Sequence, residues 1–449
     1  MKKTFSITEK MKQFFAIFFP IVITQISLMA TGFFDTVMSG QVSRYDLAGV
    51  AIGANLWLPI HTGLSGIFAG ITPILAQLNG ASRKEDMPFL VIQGVYLALF
   101  LALVVIVGGW VLLVPILNIM QLEPAVNDIA RRFLSALSIG FVPLYVSMVL
   151  RNFFDALGYT RITMLVSLCV LPINIVLNYI FILGNFGCPR LGGVGAGYAS
   201  AITYWCLAAI SLGVIHYKAP FKNYHVFHNY FRVSLAAWRE LLAVGLPIGL
   251  SIFCEVSIFG IVALLMAEYG TATIAAHQAA INFAGLVYMV PLSIGMTLTI
   301  IIGFEVGACR YDDARQYTHL GLVIAVAVAV SVAIGLFAFK NIIAGLYTSE
   351  SQVFELIKTF LIYAIFFQLS DAIAAPIQGT LRGYKDVKVT FLIAMMSYWF
   401  IGMPIGYSLA KYTYLHPYGY WVGFIVGLAA GATALAARLA KLQQKYKGG

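Results

Sequence analysis

The chain consists of one apolar run after another, and each run is long enough to cross a lipid bilayer as a helix. A membrane-spanning helix needs about 20 mostly apolar residues, and twelve segments of the 449-residue chain meet this requirement. We predict spans at residues 13–39, 48–78, 90–116, 129–154, 162–183, 193–216, 241–266, 274–306, 318–338, 353–380, 388–410 and 417–437. Membrane-spanning β-strands would instead alternate in polarity over about 10 residues, so the runs predict an all-α polytopic membrane protein.

The composition excludes the soluble, disordered and collagen-like classes. Hydrophobic residues make up 61% of the chain and charged residues only 10%, whereas a soluble domain carries about 25% charged residues. The chain therefore lacks the charge to cover a water-facing surface of its size. Its 41 Gly and 15 Pro residues fit transmembrane helices that pack closely and kink.

The positions of the basic residues predict how the chain is oriented. With the N-terminus in the cytoplasm and twelve spans, 21 of the 28 Lys and Arg residues fall on the cytoplasmic side and 7 on the other side. Cytoplasmic loops carry such an excess, so we expect both termini in the cytoplasm and a location in the bacterial inner (cytoplasmic) membrane. The net charge of +10 belongs to these short loops, and no nucleic-acid partner is expected.

The two halves of the chain resemble each other at a nearly constant offset. Pro20 and Ala48 correspond to Pro247 and Ala275, which lie 227 residues later. Each half holds six spans, so both halves enter the membrane in the same direction, as in the parallel repeats of transporters. We predict two six-helix lobes around a central cavity, the shape of an alternating-access carrier. The predicted domains are an N-lobe at 1–216, a cytoplasmic linker at 217–240 and a C-lobe at 241–449.

Three carboxylates lie inside the predicted spans, where a charge is costly. They are Asp35 in span 1, Glu255 in span 7 and Asp371 in span 10. A charge near the middle of a span costs roughly 2.5–3.5 kcal/mol on insertion scales and usually has a function. No Lys or Arg is predicted at comparable depth, so each carboxylate is expected to hold a proton or bind a metal cation. Glu305, near the end of span 8, is a weaker candidate because its position allows it to snorkel to the interface.

Other polar side chains inside the spans can complete oxygen-rich cation sites. The candidates are Asn174, Asn178, Ser200, Thr203, His277 and Gln278. Asn174 and Asn178 are one helical turn apart and share a face. Hard cations favour such oxygen ligands, while hydrogen bonds between helices account for the same residues equally well. A lone histidine such as His277 is more often structural, so His277 and Gln278 are secondary candidates.

Aromatic residues can supply the other half of a binding site. The chain holds 32 Phe, 24 Tyr, 6 Trp and 14 Met. Many of these side chains will lie at the lipid interface, and the rest can face a cavity. Aromatic rings beside carboxylates attract large, flat cations, and flexible Met side chains permit varied ligands. The composition therefore favours a site for organic cations such as drugs and dyes.

Several stretches resemble the signature segments of one transporter family. Residues 34–40 (FDTVMSG) resemble the span-1 signature of multidrug and toxin extrusion (MATE) transporters, and residues 371–386 resemble the span-10 signature of their NorM-like branch. Further segments similar to that branch are residues 276–278 (AHQ), 288–291 (YMVP) and 397–399 (SYW), together with Glu255. The resemblance covers essentially the whole chain, and the combination of segments is highly specific.

The resemblance implies a cation-coupled multidrug efflux antiporter that exports organic cations by alternating access, driven by inward Na⁺ or H⁺. It implies a C-lobe cation site formed by Glu255, Asp371 and Tyr288, with Na⁺ on the two carboxylates as a hypothesis. It also implies an N-lobe cation site formed by Asp35, Asn174, Asn178 and Ser200. We expect no catalytic residue, no cofactor other than the coupling ion, and a monomer surrounded by membrane lipids.

Three other classes of membrane protein are weighed against this interpretation. A lipid-linked oligosaccharide or lipid flippase of the related superfamily is expected to line its cavity with Arg and Lys, whereas this chain places acidic residues there. An ion channel is expected to carry a selectivity-filter stretch or an arginine ladder, and neither is found in the sequence. For a membrane enzyme, no nucleophile, metal cluster or phosphate-binding loop stands out.

Overall fold

The structure is a computed structural model that describes residue 1, residues 3–228 and residues 230–446. Lys2 and Lys447, which contribute to the predicted cytoplasmic charge, and Asn229 of the predicted linker lie outside the described residues, as do residues 448–449.

The described residues form fifteen α-helices, and the longest connections between them are residues 182–192 and 218–234. The helices are α1 (Ile7–Gly40), α2 (Arg44–Ala69), α3 (Ile71–Gly80), α4 (Met87–Ile119), α5 (Pro124–Ser138), α6 (Phe141–Ala156), α7 (Thr160–Phe181), α8 (Gly193–Tyr217), α9 (Leu235–Leu265), α10 (Thr271–Gly307), α11 (Tyr311–Tyr347), α12 (Ser351–Gly383), α13 (Val387–Met395), α14 (Met403–Tyr412) and α15 (Tyr418–Lys445). Three 3₁₀ turns lie at Lys84–Asp86, Phe221–Tyr224 and Met266–Tyr269, and a π-helical segment at Met396–Gly402 joins α13 to α14.

The long helices match the predicted spans closely. Within the described ranges, eleven helical segments are long and apolar enough to cross a membrane, and α5 with α6 make a twelfth if they form one span. These two helices meet at an angle of 51°, next to Gly140 and Pro143, residues of the kind that break helices. The all-α polytopic membrane fold predicted from the sequence is confirmed, and span 4 is broken rather than straight.

The helices with the highest mean hydropathy bury the least of their surface against other helices. The segment Lys84–Ile119 has a mean hydropathy of 2.9 and Tyr311–Tyr347 one of 2.8 over their most apolar stretches. Large side chains such as Val107, Trp110 and Ile334 are exposed on α4 and α11. Because exposed apolar surface of this extent is rare on soluble monomers, these faces are suited to contact with lipid tails.

The chain divides into two compact units. The first unit comprises Met1 and Phe19–Leu246, and the second comprises Lys2–Phe18 and Pro247–Gly449. The beginning of α1, up to Phe18, therefore packs within the second unit, and the beginning of α9, up to Leu246, packs within the first.

The N-terminal segment is tied into the second unit by a buried network of charges. Lys10 Nζ lies 2.5 Å from Asp313 Oδ1, and Arg310 Nη2 lies 2.7 Å from Asp313 Oδ2. Arg310 Nη1 also lies 3.3 Å from Glu305 Oε2, and the Glu305 side chain is fully buried. Glu305 is thus covered at the end of α10, because Arg310, which follows the helix, folds back onto its carboxylate.

Candidate functional site

In the first unit, small residues allow α8 to approach α7 closely. Gly192, with a φ of +58°, turns the chain into α8. Gly195 follows so close to the carbonyl oxygen of Phe181, the last residue of α7, that no side chain fits between them. Small residues permit such close helix contacts in membranes. The contact places Ser200, further along α8, beside the polar face of α7.

The carboxylate of Asp35 on α1 is held by neutral donors from these two helices. Asn178 Nδ2 donates to Asp35 Oδ1 at 2.6 Å, and Ser200 Oγ donates to Asp35 Oδ2 at 2.8 Å. Asn178 Nδ2 also lies 3.1 Å from Asn174 Oδ1, one turn earlier on α7. The structure therefore brings together the four residues predicted for the N-lobe, which we call the Asp35 site: Asp35, Asn174, Asn178 and Ser200.

One amide atom of the Asp35 site, Asn178 Oδ1, is buried and has no hydrogen-bond partner among the described residues. An unpaired buried polar atom costs about 1–3 kcal/mol, which a ligand at the site would recover. The free Asn178 Oδ1, with the oxygens of Asp35 and Ser200, forms an oxygen set of the kind that hard cations bind.

The Asp35 site opens into a cavity of about 480 Å³ within the first unit, which we call the first-unit cavity. Its volume lies in the range of about 300–1,000 Å³ that is usual for small-molecule sites. Trp57, Phe154 and Tyr204 contribute aromatic surface, and Met148 contributes a flexible one. Asp35 is the one carboxylate among the described lining residues. Arg151 lines the same cavity. The aromatic surface close to the Asp35 carboxylate suits an organic cation.

Thr203 also lines the first-unit cavity but is not part of the Asp35 site. Its hydroxyl donates to the carbonyl oxygen of Ala199 at 2.7 Å, within its own helix. The hydroxyl proton is therefore already used, and Ser200, not Thr203, is the α8 residue that contacts Asp35.

In the second unit, a glycine contact sets α12 against α10. Gly295 and Gly379 lie too close together for any side chain, and a Cβ atom at Gly295 would come within 2.7 Å of the carbonyl oxygen of Ala375. Thr299 Oγ1 donates across this contact to the carbonyl oxygen of Gly379 at 2.9 Å. Two turns before the contact on each helix lie Tyr288 of α10 and Asp371 of α12, so the glycine contact fixes where these side chains stand.

Glu255 and Asp371 form a pair of carboxylates in the second unit. The Asp371 side chain is 4% exposed and that of Glu255 is partly exposed. The two carboxylates lie within electrostatic range of each other, and Tyr288 lies within range of both. The structure therefore brings together the three residues predicted for the C-lobe site, which we call the Glu255–Asp371 pair with its tyrosine.

Two further residues act on Glu255. Tyr398, in the π-helical segment, lies close enough to Glu255 for its hydroxyl to interact with the carboxylate. Arg382, on the last turn of α12, lies within electrostatic range of Glu255. Sequence reasoning did not anticipate this interaction, because Arg382 lies just beyond the predicted end of span 10 at residue 380, whereas α12 continues to Gly383.

The secondary candidates on α10 lie elsewhere. His277 is 1% exposed, and its Nδ1 accepts a hydrogen bond from Trp421 Nε1 at 3.1 Å. Its ring also packs edge-on against Phe360 at a centroid distance of 6.0 Å. Gln278, the next residue, is exposed. The environment of His277 is that of a packed aromatic cluster.

Four side chains near the sites were not selected from the sequence: His61, Arg151, Arg382 and Tyr398. Arg151 and Arg382 lie near span ends, where the charge count assigned them to cytoplasmic segments. A sequence signal was present for Tyr398, because SYW resembles a family segment, but its contact depends on the π-helical geometry. Across the described ranges, no group of three or more His, Cys, Asp and Glu side chains could hold a metal ion.

The comparisons with known proteins agree with this arrangement of helices. A sequence model of the family described as MatE matches residues 20–180 and 247–408. These two matches cover most of the chain, one in each half. The chain belongs to the MatE family. The two matched ranges begin at Pro20 and Pro247. These are two of the corresponding residues from which the internal repeat was predicted.

MatE relatives cover the chain almost from end to end. The chain is 54% identical over 446 residues to a protein of Bacillus thuringiensis subsp. konkukian (strain 97-27) named "Probable multidrug resistance protein NorM", covering 99% of this chain and 98% of that protein. Among solved structures, it is similar to the eukaryotic MATE transporter AtDTX14, with a TM-score of 0.87 and 20% identity over 98% of this chain and 99% of the other. It is also similar to an outward-facing multidrug resistance MATE transporter, with a TM-score of 0.89 and 18% identity over 100% of both chains.

Proposed function

We propose that this chain is a cation-coupled multidrug efflux antiporter, which exports organic cations by alternating access in exchange for Na⁺, H⁺ or both. Membership of the MatE family and 54% identity to a protein named for multidrug resistance support the transport of drugs. The single observation that carries the proposal is the Asp35 site. There, one carboxylate inside a membrane helix opens into an aromatic cavity and is held only by neutral donors.

The mechanism requires competition for the same negative charge. In the outward-open state, external Na⁺ or H⁺ reaches the Asp35 site and the Glu255–Asp371 pair and neutralises them. A neutralised carboxylate attracts a cationic drug less strongly, so the drug leaves. Release of the coupling ion on the cytoplasmic side restores the charge and the affinity for drug. Each ligand must bind the two states with different affinities, since otherwise no coupling results.

Each site has a defined part in this scheme. Asp35, Asn174, Asn178 and Ser200 supply oxygen ligands in the first unit. Glu255 and Asp371 are the residues for which we propose Na⁺ binding in the second unit, with Tyr288 beside them. We further propose that the protein acts as a monomer in the bacterial inner membrane, among lipids, with both termini in the cytoplasm.

The flippase alternative predicts a cavity lined by several Arg and Lys side chains. The described lining of the first-unit cavity contains one Arg and no Lys, and it contains Asp35. A pyrophosphate group would therefore meet one carboxylate and only one arginine in this cavity. The arrangement favours an organic cation over a lipid-linked pyrophosphate.

The proposal is tested by ethidium accumulation in a bacterial host that lacks its own drug efflux pumps. Cells that express the wild-type chain should accumulate less ethidium than cells with empty vector, and Asp35→Asn should return accumulation to the vector level. Asp128→Asn is the matched control, because it makes the same change at an exposed carboxylate on α5. Equal accumulation in wild-type and vector cells, at proven expression, would contradict the proposal.

A further inference from the structure

The connection between α8 and α9 carries positive charge without nearby negative charge in the sequence. No Asp or Glu occurs in residues 156–239, and Glu240 is the next acidic residue along the chain. Four basic residues lie in the connection and on the first turns of α9: Lys218, Lys222, Arg232 and Arg239. The turn at residues 81–86, which alternating spans place on the same side, holds two basic and two acidic residues. The connection therefore has a net positive charge that this turn lacks.

The connection also lies next to the membrane. The helix before it, α8, and the segment Leu235–Tyr269 after it are both long and apolar enough to cross a bilayer. Residues 218–234 therefore run along one membrane surface, from the end of one span to the start of the next. Clusters of four or more Lys and Arg residues beside a span attract anionic lipid headgroups.

Apolar and backbone groups hold the connection against the first unit, so its charged groups are not needed for this purpose. Phe221 is fully buried, with its ring centroid 4.8 Å from that of Phe154. Gln93 Nε2 donates to the carbonyl oxygen of Arg232 at 2.8 Å, and Gln93 Oε1 accepts a hydrogen bond from the backbone N–H of Ser234 at 2.9 Å. The course of the connection is thus fixed without a salt bridge.

The charged groups remain available for a partner. All four basic side chains are exposed, and none has an ion-pair partner among the described residues. Two tyrosines lie between or beside them, Tyr217 at 81% exposure and Tyr230 at 87%. Tyrosine rings are enriched at the level of lipid headgroups, where one end contacts acyl chains and the other contacts water. We call the six residues the linker patch: Lys218, Lys222, Arg232, Arg239, Tyr217 and Tyr230.

The chemistry of the linker patch favours a lipid over a soluble anion. A soluble anion would balance the charges but leave both tyrosine rings in water. An anionic phospholipid offers a phosphate to the basic side chains and an apolar boundary to the rings. We propose that the linker patch is a docking surface for the headgroups of anionic phospholipids. Its assignment to the cytoplasmic leaflet rests on the orientation proposed above, whereas the binding itself does not depend on drug export.

Native mass spectrometry of the purified full-length protein tests the linker patch, because the method resolves individual bound lipids. Dioleoylphosphatidylglycerol and dioleoylphosphatidylcholine are titrated separately, since both contain a phosphate but only the first has a net charge. The wild-type protein should bind phosphatidylglycerol about tenfold more tightly than phosphatidylcholine. The double variant Lys218→Gln, Lys222→Gln should bind phosphatidylglycerol roughly ten- to thirtyfold more weakly than the wild type, as expected for the loss of two cations beside anionic lipid.

Two further double variants keep the test interpretable. Lys441→Gln, Lys445→Gln neutralises two exposed lysines with the same spacing on α15 of the second unit and should leave both affinities unchanged. Lys218→Arg, Lys222→Arg keeps the charge and should keep the tight binding of phosphatidylglycerol. Unchanged phosphatidylcholine binding also reports that the Lys218→Gln, Lys222→Gln protein is folded.

The outcomes separate the linker patch from the proposed function. Equal wild-type affinities for the two lipids, or undiminished phosphatidylglycerol binding in Lys218→Gln, Lys222→Gln, would overturn the patch. An equal loss in Lys441→Gln, Lys445→Gln would also overturn it, because any exposed cation would then serve. Displacement of phosphatidylglycerol by inorganic phosphate would instead identify a soluble anion as the occupant and contradict the lipid. A protein that binds phosphatidylglycerol through the patch but does not lower ethidium accumulation would support the patch and contradict only drug export.

Discussion

In the first unit a single carboxylate, that of Asp35, is held by neutral donors, whereas in the second unit two carboxylates act on each other and an arginine acts on one of them. Asn178 and Ser200 orient Asp35 through hydrogen bonds of 2.6 and 2.8 Å. Glu255 instead has Asp371 and Arg382 within electrostatic range. The first arrangement fixes the orientation of the Asp35 carboxylate. In the second arrangement, the positive charge of Arg382 offsets part of the negative charge of the pair.

This difference indicates a division of labour between the sites. The Asp35 site opens into a cavity large enough for a drug and offers one negative charge to it. The Glu255–Asp371 pair concentrates two negative charges, whose mutual repulsion a bound proton or metal ion relieves. We therefore expect drug affinity to depend mainly on Asp35, and the response to the coupling ion to depend mainly on Glu255 and Asp371.

The largest expected effect is the loss of transport when the pair is neutralised. Glu255→Gln or Asp371→Asn should each reduce ethidium efflux to the vector level while expression stays intact, because the remaining carboxylate cannot provide the same ion site. Glu355→Gln, at an exposed carboxylate paired with Lys358, is the matched control. Wild-type resistance to ethidium in both variants would remove the pair from the mechanism.

Drug binding should depend more on Asp35 than on Glu255. Asp35→Asn should weaken the binding of tetramethylrhodamine methyl ester roughly tenfold to a hundredfold, as expected for the loss of about 1.5–3 kcal/mol from a charged contact. Glu255→Gln should weaken the binding of the same ester less. Fluorescence polarisation titrations of the two purified variants measure both affinities. If Glu255→Gln costs more dye affinity than Asp35→Asn does, the proposed division of labour is reversed.

Arg382 should set how strongly the pair attracts its coupling ion. Arg382→Gln removes a positive charge near Glu255, so the apparent affinity for Na⁺ or H⁺ should rise about fivefold, at the lower end of usual coupling strengths. The measurement is the ion concentration that gives half-maximal drug efflux from proteoliposomes. Arg161→Gln is the control arginine, because it lies in the other unit and is exposed. An unchanged half-maximal concentration would mean that Arg382 does not act on the ion site.

The smallest effect is expected from a single neutral donor at the Asp35 site. Ser200→Ala removes one hydrogen bond to Asp35, and such bonds between membrane helices average about 0.6 kcal/mol, which corresponds to roughly a threefold change in affinity. Thr203→Ser is the matched control, because Thr203 donates within its own helix. A loss as large as that for Asp35→Asn would show that Ser200 does more than orient the carboxylate.

The sequence predicted the parts of the fold and sites that depend on hydropathy and on spacing along one helix. The helices followed from apolar runs, and Asn174 and Asn178 were placed on one face because they are four residues apart. Charges inside spans identified Asp35, Glu255 and Asp371 because burial without a function is costly in lipid. These signals are local, so they need no knowledge of tertiary contacts.

The residues that sequence reasoning missed depend on helix ends and on contacts between helices. Arg151 and Arg382 were counted as cytoplasmic because a basic residue near a span end is usually outside the lipid. The structure instead places Arg151 in the lining of the first-unit cavity and Arg382 within electrostatic range of Glu255. Glu305 is covered by Arg310, which is itself joined through Asp313 to Lys10 of the N-terminal segment. Tyr398 reaches Glu255 from a π-helical segment, which no hydropathy pattern indicates.

The most direct test of ion–drug competition is ethidium efflux from proteoliposomes that contain the purified wild-type protein, with Na⁺ and pH gradients imposed separately. At least one of the two gradients should speed up ethidium efflux when the ion flows down that gradient in the direction opposite to the dye. Reversal of the same gradient should slow the efflux. If ethidium moves at the same rate whether both gradients, one gradient or no gradient is imposed, antiport that depends on these carboxylates is contradicted.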